Sequence, residues 1–148
     1  IRMAEHVMVR QNSNFEIEFR ATDPRDAESK EINPVFHILE LTPYTMLLAS
    51  LGACTTIVLH TYAQHHDVEL QEVESHLYYK RVFQHDCEDC EEIEHYEEQI
   101  DQELALRGNL TDEERRKLFH IAKQCSVHKM LETGVEIRSQ LADKGGEE

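Results

Sequence analysis

The sequence is poor in positive charge. Lys and Arg number 15 against 30 Asp and Glu, a formal net charge of -15 with histidine neutral. Such a surface repels phosphate backbones and anionic bilayers, so nucleic acid and acidic membranes are not expected partners. Cysteine is also sparse: four in 148 residues do not make a secreted disulfide scaffold. The opening IRMAEHVMVRQ contains no apolar leader-like run. Together these lead to the expectation of a reducing, cytoplasmic setting, where thiols are structural, metal-binding or redox-active. No internal repeat, Gly-rich phosphate loop or Ser-His-Asp arrangement stands out.

Uncharged sequence is scarce too, except in one place. LTPYTMLLASLGACTTIVLHTYA, Leu41 to Ala63, holds no Lys, Arg, Asp or Glu. It is long enough to span a bilayer. However, Thr45, Ser50, Gly52, Thr55, Thr56, His60 and Thr61 dilute its hydropathy, and its flanks are charged, strand-like and without a positive cluster. It reads instead as the buried central helix of a soluble fold. Thr42 is a suitable N-cap and Pro43 suits the first helical position. The helix should fade near His66 and Asp67.

The rest of the chain supplies the cover. HVMVR and FEIEF alternate around QNSN, predicting a β-hairpin. A polar, proline-containing loop follows, and VFHIL suggests a short strand. VELQEVESHLYYKRVF places Val73, Ser75, Leu77 and Tyr79 on one face. YEEQIDQELALRGNL resumes the alternation through Tyr96, Ile100, Leu104 and Leu106, which predicts an antiparallel pair. Thr111 and Glu114 form a capping box opening an amphipathic helix. A second short helix should end at Gly134. VEIRSQL reads as a last strand, and residues 142–148 as a frayed tail. The expected order β-β-(β)-α-β-β-α-α-β defines one α+β domain over residues 1–148. A helix apolar on nearly all sides needs more cover than one small sheet gives, so an intertwined dimer is expected.

Cys54 lies in the middle of the apolar helix, with Ser50, Leu51, Ile57 and Val58 as its helical neighbours. Burial opposes ionisation of a thiol, so without a nearby cation it is an inert core residue. Cys125 follows the face of Leu118 and Ile121 and can equally be core. Composition alone leaves both readings open.

TPYTMLLASLGACTTIVLHTYA resembles the first cysteine motif of the OsmC/Ohr family: a proline, a Leu/Ala-rich turn, then small residues and Cys before an apolar helix. LTDEERRKLFHIAKQCSVHKML is similar to its second, where a capped helix leads to Cys and a short helix. The two motifs occur in the family's order, and the resemblance covers nearly the whole chain. It implies an intertwined homodimer with central helices, and a peroxidase that reduces organic hydroperoxides. Cys54 would then be the peroxidatic thiol and Cys125 the resolving one, with an external dithiol as reductant and no cofactor required. The resemblance also implies an arginine from the N-terminal strands beside the first cysteine: Arg10, with Arg20 as the alternative. Here the chain departs from the pattern. Thr45 stands where family members carry a Glu, leaving another carboxylate such as Glu40 to substitute, and Ser126 replaces a common proline. A second function compatible with these departures is a non-catalytic protein of this fold that holds a small apolar ligand beside Cys54.

QHDCEDCEEIEH, an acidic turn within residues 84–95, presents Cys87 and Cys90 as CxxC, flanked by His85 and His95. Those four side chains match a Cys2His2 zinc shell. A redox dithiol and a pair of idle thiols are the other readings, the five nearby carboxylates opposing thiolate formation. His60, His65 and His66, near the end of the central helix, read as satisfying terminal carbonyls.

Overall fold

The computed structural model describes residues 5–26, 28–83 and 96–142. Among the described residues nine elements follow one another: β1 (Glu5–Asn12), β2 (Ile17–Thr22), β3 (Ile32–Pro34), a 3-10 turn (Ile38–Glu40), α1 (Pro43–His65), β4 (Leu70–Phe83), β5 (Tyr96–Gly108), α2 (Asp112–Ala122) and α3 (Ser126–Thr133). The fold is α+β. One antiparallel sheet, ordered β3-β2-β1-β4-β5, places the first strand at its centre.

Alternation in β1 decides which residues meet the helix. Val7 and Val9 pair with Ala21 and Phe19 on β2 and with Leu77 and Ser75 on β4. Together with Leu48, Leu51 and Tyr79 they build one core cluster, into which Cys125 also packs. A second cluster joins Leu59 and Ala63 of α1 to Val73 of β4 and Leu118 and Ala122 of α2. Thus α1 lies between the sheet and the two later helices. It is long and apolar enough to cross a membrane, yet Leu48, Leu51, Gly52, Thr55, Thr56, Leu59, His60 and Ala63 are buried within the chain. Ser50, Ile57, Thr61 and Gln64 remain exposed along one stripe. In a single chain, then, α1 is not covered on every side.

The central helix begins as expected, with Thr42 as N-cap and Pro43 next, and ends at His65 with His66 as cap. Asp67 follows in the left-handed region, φ 54°. The capping box of Thr111 and Glu114 opens α2, and the backbone N–H of Gly134 closes α3 onto the Met130 carbonyl at 2.8 Å.

Two local expectations are corrected. The strand expected at VFHIL is displaced: β3 is Ile32–Pro34, and Glu40 folds back to accept from the backbone N–H groups of Phe36 and His37, making a 3-10 turn. The terminal VEIRSQL forms no strand. Alternation alone cannot hold a strand that lacks a ladder partner, and Val135, Ile137 and Leu141 are left exposed.

Candidate functional site

Cys54 sits on the flank of α1 that faces α3. Cys125 occupies the junction after α2, where it is the N-cap residue of α3. The two are joined as a disulfide across 71 residues of sequence, with Cα atoms 6.1 Å apart, an ordinary span for such a bridge. Their environments differ. Cys125 is fully buried, whereas Cys54 is half-buried. Ser126 Oγ lies 3.8 Å from Cys54 Sγ.

A cleft of about 440 Å³ is lined by Leu47, Leu51, Tyr79, Ile100, His128 and Leu131, among others; neither cysteine lines it, but Leu51, Tyr79, Ile100 and Leu131 belong to the core cluster that holds both. The polar end of the cleft is built by Tyr79, whose hydroxyl donates to Glu98 at 2.6 Å. Burial, and then that carboxylate, push the Tyr79 phenol up to about 12. Arg81 closes the group, donating to the Tyr44 hydroxyl at 3.3 Å and lying 3.7 Å from Glu98. Sequence reading passed over Arg81, although it continues the parity of Val73, Ser75, Leu77 and Tyr79 towards the helix.

Arg10 is not brought to Cys54. Its register opposite Glu18 and Glu74 puts it on the outer face of the sheet. There it pairs with Glu18, Glu72 and Glu74 at 3.2, 3.4 and 3.6 Å. Arg20, the alternative, is held by Glu18 at 3.2 Å on the same face. Arg107 and His76 add to this outer network through Glu74, whose carboxyl is held below its usual range despite the opposing effect of burial.

Thr45 is buried at the start of α1, where a capping box with Thr42 uses its hydroxyl. The Thr42 N–H donates to Thr45 Oγ1 at 2.8 Å. A carboxylate does reach this point, but from β1: Thr42 Oγ1 donates to Glu5 Oε1 at 2.7 Å. Glu5 shares the parity of Val7 and Val9, which is the sequence signal that places it there. Glu40 does not substitute, because its carboxylate closes the 3-10 turn.

His85, Cys87, Cys90 and His95 lie outside the described residues. His66 Nδ1 donates to the Tyr62 carbonyl at 3.0 Å, as a helix-end histidine should. His60 instead turns inward and bonds the Gln11 carbonyl at 2.8 Å, its pKa lowered by burial.

A buried sulfur paired with a more accessible one, on two helices packed over an antiparallel sheet, defines a thiol–disulfide site in an α+β fold. The family model described as OsmC-like protein matches residues 36–140. The chain belongs to that family. Its structure is similar to that of an OsmC-like hydroperoxide resistance protein from Jannaschia sp. CCS1. The TM-score is 0.60, at 15% identity, over 97% of this chain and 96% of the other. No curated protein matches the chain.

Proposed function

We propose that this chain is a thiol-dependent peroxidase that reduces organic hydroperoxides. The observation that carries the reading is the Cys54–Cys125 disulfide, with one sulfur half-buried and the other closed off. The more accessible Cys54 is the peroxidatic thiol. Its thiolate attacks one oxygen of the O–O bond; that bond breaks and the alcohol leaves with a proton. Cys54 becomes a sulfenic acid. The Cys125 thiol then gives up its proton and attacks Cys54 Sγ; the S–S bond forms, the S–O bond breaks, and the hydroxyl leaves with that proton as water. An external dithiol reduces the disulfide and restores both thiols. The cleft beside Leu47 and Leu51 offers an apolar surface for the organic part of the substrate.

The working form is a cytoplasmic homodimer. Exposure of Ile57 on α1, of Phe36, Ile38 and Leu39 before it, and of Val135, Ile137 and Leu141 after α3 favours cover by a second copy.

The test mixes the protein with an alkyl hydroperoxide and a dithiol. Hydroperoxide is consumed by the native chain and not by Cys54→Ser. Equal consumption by the two overturns the reading. A second reading, a binding protein for a small apolar ligand, is favoured by Thr45 standing where a carboxylate is usual. It predicts ligand retention in the cleft with Cys54 inert to hydroperoxide.

A further inference from the structure

We infer that the Ser126 hydroxyl is the hydrogen-bond donor that holds the reduced Cys54 sulfur in its reactive, ionised form. The inference rests on the reading of Cys54 as the nucleophile and assigns a residue to its activation.

A thiolate on a half-buried helix face needs a compensating donor or positive charge. Arg10 and Arg20, the expected source, are committed to carboxylates across the sheet. Thr45 is spent on the cap of α1. Among the described residues, the polar contact found at Cys54, apart from Cys125, is Ser126 Oγ at 3.8 Å, a hydrogen-bonding distance for sulfur.

The position of Ser126 in the fold strengthens the assignment. It is the first residue of α3, and its neighbour Cys125, the N-cap, makes no side-chain cap bond. The opening N–H groups of α3 therefore have no N-cap side-chain acceptor, and the positive end of the helix borders the sulfur pair. A hydroxyl there suits both states of the thiol. It accepts from a neutral S–H and donates to a thiolate, turning its proton without moving its oxygen. Because Ser126 follows Cys125 in sequence, the donor and the resolving sulfur are carried by the same backbone. In the disulfide form the hydroxyl already lies beside Cys54. A proline at this position has no such donor.

The test reads Cys54 and requires no hydroperoxide. Fully reduced protein is alkylated with iodoacetamide across a pH series, and modification of the Cys54 peptide is followed by mass spectrometry. Ser126→Ala is expected to slow Cys54 alkylation at neutral pH about tenfold, the size of one lost charge-assisted hydrogen bond. The midpoint of its pH profile moves upward. Ser126→Thr, which keeps the hydroxyl, restores the native profile. Ser126 is exposed, so both variants should melt with the native chain. An Ala profile that coincides with the native one overturns the inference, as does a Thr variant that behaves like Ala. If the Ala profile moves while the native chain leaves hydroperoxide untouched, the peroxidase reading falls and the role of Ser126 stands. If hydroperoxide is consumed and the profile does not move, only the role of Ser126 falls.

Discussion

Cys54 and Cys125 stand 71 residues apart in sequence and 6.1 Å apart at their Cα atoms. A bridge across so long a loop restricts the unfolded chain, an effect worth about 4 kcal/mol on chain-entropy grounds. Oxidised protein should therefore melt well above reduced protein. Cys54→Ser should melt with the reduced form whether or not a dithiol is present. Scanning calorimetry of the four samples checks this. Equal midpoints for oxidised and reduced native chain would show that the bridge does not stabilise the fold.

At Gly52 α1 lies close against the sheet. A Cβ at that position would fall 2.5 Å from Val9 Cγ2 and 2.8 Å from Leu77 Cδ1. Alanine is the better helix former by about 1 kcal/mol. Overpacking against two buried strand residues costs about 1–3 kcal/mol and should win. The expected outcome is a lower urea midpoint for Gly52→Ala at an unchanged slope. A midpoint above native would mean that Val9 and Leu77 give way freely.

Thr45 offers a sharper case. Restoring the family's carboxylate with Thr45→Glu would place a charge in a position 1% exposed, next to the hydroxyl already shared with Glu5. The variant should lose about 2 kcal/mol or more, through a broken capping box and like-charge repulsion. Adding Glu5→Gln should recover part of that loss. Denaturant melts of the single and double variants measure the coupling; additive losses would argue against repulsion.

The sequence pattern carried the architecture because its signals are local. Thr42–Pro43 opens α1, the Thr111–Glu114 box opens α2, Gly134 ends α3, and alternation assigns Val7, Val9, Val73 and Leu77 to one face. The two cysteines were legible as a pair only through the resemblance to the OsmC/Ohr family, because burial alone left each open to a core reading. What the sequence hid depends on register. Arg10 and Glu5 lie five positions apart on one strand, and parity alone sends one to the outer face and the other to the helix. VEIRSQL has the alternation of a strand without a neighbour to bond it. The 3-10 turn at Ile38–Glu40 depends on one carboxylate folding back onto two N–H groups, which alternation does not encode.

Acid should weaken the fold before its carboxylates titrate. Burial, helped by the charge of neighbouring His76, lowers the pKa of His6 from 6.5 to about 4, and burial lowers that of His60 as well. Between those two values the unfolded chain binds protons that the folded chain refuses, so stability rises with pH across the window. It is full above about 6.5 and falls progressively towards about pH 4. Thermal midpoints across that window should drop in the native chain and drop less in His6→Gln. A midpoint that holds steady to pH 4 would show that both rings accept protons in the folded state.

The last prediction concerns Arg10. Its guanidinium is about 38% exposed and is pulled towards Glu18, Glu72 and Glu74 on the face of the sheet away from α1. Surface pairs of this kind are worth about 0–1 kcal/mol each, and Arg107 remains to neutralise Glu72 and Glu74 at 2.6 and 2.9 Å. Arg10→Gln should therefore lower stability by about 1 kcal/mol or less, and less still in high salt, which screens exposed charges. Its effect on Cys54 alkylation should be nil, because the side chain and the sulfur lie on opposite sides of β1. A loss of Cys54 reactivity in Arg10→Gln, at unchanged stability, would mean that the guanidinium leaves its carboxylates to serve a thiolate. The outer network would then be the resting state of a residue that moves.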